Sequence, residues 1–147
     1  LHDAARRFAS HAPRYRAERF LSLESYQKKL EFLLRHEPFD IVYLAAAVSD
    51  YAPVPREGKI PSDNRFLTLE LHRVPKSIDY VKDWAPSVYQ VGFKLLVGAT
   101  SSELIASAEK SARANRSDCI VANDLDLLRE SHHTIHLVRL GHETETY

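Results

Sequence analysis

Three apolar stretches of this chain end in small or polar residues: Ala45, Ala46 and Ala47 in YLAAAVSDYAP, Gly92-Phe93-Lys94 in VYQVGFKL, and Ala122-Asn123-Asp124 in DCIVAND. A strand that only filled a core would normally finish on bulkier side chains, so alanines there suggest that something lies close to the backbone. Tight helix–sheet packing is the plain alternative for the alanines, and a strand-end turn for Asn123-Asp124. The chain holds 4 glycines and neither a Gly-x-x-x-x-Gly-Lys nor a Gly-x-Ser-x-Gly stretch. That argues against a glycine-cradled phosphate and against a nucleophile elbow. A triphosphate bound here would have to be held by side chains and strand-end amides.

Two further groups of reactive side chains have ordinary readings. His132, His133 and His136 form an HHxxH cluster. On a strand 132 and 136 share a face while 133 points away, which is poor geometry for a three-ligand zinc site. No resident metal site is expected. Cys119, the lone cysteine, opens an apolar run with nothing basic near it in sequence to favour a thiolate. It reads as a small buried hydrophobe.

The elements that must position the strand ends alternate between helix and strand. Leu23, Tyr26, Leu30, Leu33 and Leu34 recur at helical spacing and predict an amphipathic helix to about His36, stopped by Glu37-Pro38. Residues 39–48 form a continuous apolar run, as in a parallel strand buried on both faces. Residues 50–65, with three prolines and a glycine, read as a long mobile loop. RFLTLELHRV (65–74) alternates as a half-exposed strand, and PKSIDYVKDWA (75–85) is a short helix with Pro75 at its start. VYQVGF (88–93) is a buried strand, and 101–117 form a helix capped by Ser101 or Ser102. DCIVAND (118–124) is a third buried strand, and HHTIHLVRL (132–140) alternates as a last one. This order predicts an α/β domain over 1–147 with a mostly parallel sheet, right-handed crossovers and a ligand at the carboxyl ends of the strands.

Lys plus Arg and Asp plus Glu balance at 20 each, so no global field argues for nucleic acid or an acidic membrane. The arginines at 6, 7, 14, 16 and 19 read as the solvated face of a helix followed by a Pro13 turn, rather than as a phosphate-contacting arm. No apolar run approaches the roughly 20 residues of a membrane helix, and no secretory signal is visible. With one cysteine, a cytoplasmic domain in a reducing compartment is expected. The chain starts at Leu1 and has no methionine, which suggests a fragment or a processed chain.

The segments AAAVSDYAPV, GKI, LTLELHRVPK, VKDWAP, VGFKL and CIVAND, in this order over roughly residues 40–125, resemble phosphopantothenoylcysteine synthetase, the ligase of coenzyme A biosynthesis. AAAVSD, VPK, VKDWAP and FKL lean toward its eukaryotic-type branch. The resemblance implies a three-layer Rossmann-like α/β domain that forms a homodimer. It also implies that ATP or CTP, with Mg²⁺, activates the carboxylate of 4′-phosphopantothenate, and that the acyl-nucleotide reacts with the amine of L-cysteine. Pyrophosphate is released in the activation. By the same resemblance Ala45, Ala46 and Ala47 would form the shelf for the nucleotide, with Asp50 beside it. Lys59, in GKI, would be the mobile-loop lysine that closes over the reacting phosphate, neutralising charge and excluding water. Phe93 and Lys94 would border the base through the main chain, and Asn123 would stand at the rim. Lys110 and Arg113, with Arg116, would be the candidates for the triphosphate tail.

Leu96 stands where the eukaryotic-type branch has an acid, and Lys110, Arg113 and Arg116 are out of the family's strict register. The family's Gly-Gly-Thr turn and its Ser-Asn-x-Ser-x-Gly motif are absent, as expected of an N-terminally incomplete chain. These departures favour a second reading, a nucleotide-binding regulatory paralogue of the same fold without ligase activity.

Overall fold

Ser22 starts the first helix, α1 (Leu23–His36). Its hydroxyl accepts the Ser25 N–H, and the Ser25 hydroxyl accepts the Ser22 N–H in return. Such a reciprocal cap satisfies donors that the first turn would otherwise leave open. Glu37 ends the helix in an extended conformation before Pro38. The structure, a computed structural model, describes residues 16–60, 63, 65–127 and 133–147. The helix expected at the start of the chain lies outside these residues, as does His132.

Strand β1 (Ile41–Tyr43) follows, then β2 (Tyr51–Pro53) and β3 (Leu71–Arg73), a 3-10 turn (Ser77–Tyr80) that runs into α2 (Val81–Trp84), and β4 (Tyr89–Leu96). Helix α3 (Ser101–Asn115), β5 (Cys119–Asp124), β6 (Ile135–Val138) and β7 (Glu145–Thr146) complete the order. One sheet runs β1-β4-β5-β6-β7, with β1, β4 and β5 parallel, β6 antiparallel to β5 and β7 antiparallel to β6; β2 and β3 form a separate antiparallel pair. The cap of α3 is Thr100 rather than Ser101 or Ser102. Its hydroxyl accepts the Glu103 N–H at 3.3 Å, and the Glu103 carboxylate accepts the Thr100 N–H at 2.9 Å.

The core sits between the helices and one face of the sheet. Leu104, Ala108 and Ala112 of α3 pack on Ile120, Ala122 and Val138. Leu34 of α1, Val81 of α2 and Val88 form a second cluster, against which Val42 and Leu44 pack. Val42 pairs with Gln90 and Gly92 with Ile120, so both clusters share a face. Tyr43, Phe93 and Leu95, on the opposite face, are exposed. The result is the α/β arrangement predicted from the order of elements and the Rossmann-like fold that the resemblance implies.

The strands differ from expectation in several places: β2 (Tyr51–Pro53) forms within the segment 50–65 expected to be a loop, β7 (Glu145–Thr146) follows the strand expected to be last, and two predicted strands are shorter and more exposed. The run 39–48 forms ladder pairs only over Ile41–Tyr43, and Ile41 and Tyr43 are exposed instead of buried on both faces. In the described sheet β1 is an edge strand, and the described helices cover only its Val42 side. The alternating run 65–74 supplies just Leu71–Arg73, and Leu67, Leu69 and Leu71 are exposed. A two-stranded ladder standing off the main sheet has no covered face to receive them.

Candidate functional site

After β1 the chain leaves the sheet. The Leu44 N–H still reaches the Val91 carbonyl at 3.0 Å, and the Val48 N–H then closes a tight turn onto the Ala46 carbonyl at 2.9 Å. Ala45, Ala46 and Ala47 are all exposed, so their small size does not serve helix–sheet packing. Ala46 and Ala47 line an open cavity of about 270 Å³ at the carboxyl ends of β1 and β4, together with Asp50, Lys76, Phe93 and Lys94. Ser111 and Asn115 of α3 line it from the helix side. Strand alternation turns the Phe93 ring to the opposite face of the sheet, which leaves its main chain toward the cavity.

Local pairing explains how the polar residues arrive. Tyr51 pairs with Arg73, and the Val74 N–H donates to the Asp50 carbonyl at 3.0 Å. That ladder carries Lys76 to the same rim, where its Nζ lies 3.2 Å from Asp50 Oδ1. Ser49 braces the turn: its hydroxyl donates to the Tyr51 carbonyl at 2.6 Å and accepts the Tyr51 N–H at 3.2 Å. On the helix side, buried Gln90 donates through Nε2 to Ser117 Oγ at 2.8 Å and to the carbonyls of Asn115 at 3.1 Å and Ile78 at 3.3 Å. The end of α3 and the 3-10 turn are thereby tied to β4. Asp118 secures the same joint by accepting the Gln90 N–H at 2.7 Å and the Lys82 ammonium at 2.6 Å. Burial opposes the charge on Asp118, but the Gln90 N–H and the Lys82 ammonium outweigh it and hold the carboxyl below its usual range.

Several residues singled out from the sequence stand apart from the cavity. Ala45, Lys59, Lys110, Arg113 and Asn123 do not line it. Lys59 is exposed on the segment after β2, and Lys110 is exposed on α3. The Arg113 guanidinium pairs with Glu109 one helical turn away at 3.1 Å, and Arg116 reaches Asp83 at 2.8 Å and the Asp79 carbonyl at 2.7 Å. Asn123 is half-buried on β5. Its neighbour Asp124 is buried and accepts the N–H groups of Ala99 at 2.7 Å, Asp126 at 2.8 Å and Gly98 at 3.1 Å. The Ala99 N–H above all holds this carboxyl below its usual range, with the other two helping against the opposing effect of burial.

Lys76, Ser77, Ser111 and Asn115 are cavity residues that sequence reasoning missed. Ser111 and Asn115 carry a readable signal, a polar i,i+4 pair beside the apolar stripe Leu104, Ala108, Ala112. Lys76 becomes visible only once the β2–β3 register is known. His136 is buried with Nδ1 2.8 Å from Thr146 Oγ1, whereas His133 is exposed. Burial pushes the Cys119 thiol up. Among the described residues no three His, Cys, Asp or Glu side chains gather to hold a metal ion, and no helix is long and apolar enough to cross a membrane.

The chain is 36% identical over 124 residues to the coenzyme A biosynthesis bifunctional protein CoaBC of Thermococcus kodakarensis, a match covering 82% of this chain and 31% of that protein. It is 40% identical over 92 residues to the phosphopantothenate–cysteine ligase of Mus musculus, covering 59% of this chain and 29% of that one. It thus spans less than a third of these relatives' length. Among solved structures, the DNA/pantothenate metabolism flavoprotein from Streptococcus pneumoniae matches with a TM-score of 0.83 at 26% identity, over 92% of this chain and 67% of that one. A model of the DNA/pantothenate metabolism flavoprotein C-terminal domain matches residues 11–146, and the chain belongs to that family.

Proposed function

We propose that this chain carries the nucleotide side of a phosphopantothenate–cysteine ligase of coenzyme A biosynthesis. In this reading the carboxylate of 4′-phosphopantothenate attacks the α-phosphorus of ATP or CTP and pyrophosphate leaves. The amine of L-cysteine then attacks the acyl carbon and nucleoside monophosphate departs. The observation that carries the reading is the single cavity shared by exposed Ala46 and Ala47, Asp50, Phe93 and Lys94 at the carboxyl ends of two parallel strands. The small side chains leave backbone N–H and C=O groups open to a base, and Lys94 offers charge to the phosphates.

Lys59 has the closing role in this reading. Moved over the site, its ammonium would neutralise charge growing on the α-phosphate while the loop excluded water. Mg²⁺ fits the same place, because one carboxylate, Asp50, together with substrate phosphates is a ligand set it commonly takes; bound there, it would neutralise phosphate charge. A homodimer is supported by the exposed row Leu67, Leu69 and Leu71 leading into β3. A cytoplasmic location agrees with the free, buried Cys119.

The regulatory reading is favoured by one observation: Lys110, Arg113 and Arg116 do not line the cavity. Pyrophosphate release with 4′-phosphopantothenate, L-cysteine, Mg²⁺ and either ATP or CTP separates the two. Release that requires 4′-phosphopantothenate and one nucleotide supports the ligase. Nucleotide binding without any release supports the regulatory paralogue.

A further inference from the structure

On the inner face of β4, Gln90, Gly92 and Lys94 follow one another, because alternate residues of a strand share a face. Lys94 lines the cavity. One step lower, the Cδ1 atoms of Ile78 and Ile120 lie over Gly92, and both isoleucines line the cavity too. Gln90 lies beneath them and is 0% exposed. An amide is an unexpected side chain in this layer. Its Nε2 donates to Ser117 Oγ at 2.8 Å and to the carbonyls of Asn115 at 3.1 Å and Ile78 at 3.3 Å. Its Oε1 has no hydrogen-bond partner among the described residues. Leaving a buried acceptor unmet costs free energy that a leucine or methionine of similar size would not incur. What the amide supplies is a donor that reaches two segments at once. Asn115 closes α3, where a helix leaves its last carbonyls open, and Ile78 belongs to the 3-10 turn. These two residues line the cavity from different walls. The outer side of the joint is held separately, by Lys82 Nζ donating to the Val88 carbonyl and to Asp118 Oδ2, both at 2.6 Å, and Lys82 does not line the cavity.

We infer that Gln90 is a positioning residue for the ligand of this cavity: one buried amide, itself outside the lining, fixes the distance between the α3 wall at Asn115 and the turn wall at Ile78. The inference rests on the nucleotide-ligase reading for the identity of the ligand and adds the residue that sets the shape of its site. Without the amide, two carbonyls lose their shared donor and the walls are free to part. A ligand fitted between them is then held less well, although no side chain that touches it has changed.

Calorimetric titration with ATP and with CTP, amide hydrogen exchange across 77–80 and 111–117, and thermal melting compare wild type with Gln90→Met, Gln90→Asn and Lys82→Met. Gln90→Met keeps the length of the side chain and removes the donor. Gln90→Asn keeps an amide one methylene too short to serve both walls, and it replaces the first variant if that one does not fold. Lys82→Met is the control for loss of stability alone. Below their melting transitions, the Gln90 variants are expected to bind nucleotide about tenfold or more weakly, with faster exchange in both segments. Lys82→Met should lower the melting temperature and keep wild-type affinity. Wild-type affinity in the Gln90 variants overturns the inference and leaves the ligase reading standing, and so does an equal loss of affinity in Lys82→Met. A wild type that binds neither nucleotide overturns the ligase reading. Faster exchange in the two walls of the Gln90 variants then keeps the brace, and unchanged exchange overturns it as well.

Discussion

Asp124 Oδ2 accepts the Ala99 N–H at 2.7 Å while Oδ1 accepts the Gly98 N–H at 3.1 Å, so the last residue of β5 fixes the turn that starts α3. Gly98 takes a positive φ of 65° in that turn, a conformation that favours glycine. Asp124→Ala would strand both N–H groups and loosen the helix that carries Ser111 and Asn115. We expect a clear fall in melting temperature, with Asp124→Asn intermediate because it keeps one acceptor. Equal melting curves for all three proteins would show that the clamp is not stabilising.

Stability should also depend on pH in a defined direction. The Asp118 and Asp124 carboxyls are both held below their usual range in the folded chain. A carboxyl with a depressed folded value stabilises fully above its unfolded value, about 3.9 for Asp, and the gain is lost as pH falls through the folded value. Melting temperature should therefore hold between neutrality and about pH 5 and drop below about pH 4. Asp124→Asn should flatten part of that drop. A melting temperature that rose on acidification below that point would contradict the assignment.

Gly92 is crowded by the ends of two isoleucine side chains. A Cβ there would lie 2.8 Å from Ile120 Cδ1 and 3.0 Å from Ile78 Cδ1. Gly92→Ala should cost roughly 1–3 kcal/mol in urea denaturation, the usual range for overpacking a core. Combined with Ile120→Val, which removes the nearest methyl, the cost should be less than the sum of the two single changes. Strict additivity would mean that the contact is not what constrains the position.

Lys59 and Lys94 should separate in steady-state kinetics of pyrophosphate release. Lys94 lines the cavity already and Lys59 does not. Lys94→Ala should raise KM for the nucleotide. Lys59→Ala should lower kcat by about 10²–10³ with little change in KM, as for a donor engaged only at the transition state. An unchanged kcat in Lys59→Ala would remove the loop lysine from the mechanism.

The legible parts of this fold were the local ones. The spacing of Leu23, Tyr26, Leu30 and Leu34 predicts a helix ending at His36, and the structure ends it there, because helical periodicity and a following proline act within a few residues. Thr100 was also readable, since Thr-x-x-Glu is itself a capping box, but the adjacent serines offered rival caps. Apolar content alone cannot report how many neighbours a strand has, which is why FDIVYLAAAV looked doubly buried while Ile41 and Tyr43 are exposed. Of the cavity, Ala46, Ala47 and Asp50 lie beyond the end of β1, where topology directs attention, whereas Phe93 and Lys94 lie within β4, which runs on to Leu96. Lys76 is placed by a ladder between segments some twenty residues apart, and the polar pair Ser111 and Asn115, readable beside the apolar stripe of its helix, gains a cavity to line only once the sheet is beside it.

The shelf formed by Ala46 is the most direct point of test. Its side chain is exposed and lines the cavity, so Ala46→Leu would fill the space without entering the core. Titration of wild type and Ala46→Leu with ATP and with CTP, alongside their melting curves, is the measurement to make. A nucleotide lying on this backbone predicts that affinity falls about tenfold or more in the variant while the melting temperature holds, because the added side chain clashes only with the ligand. Nucleotide bound equally well by both proteins, with equal melting temperatures, would contradict it.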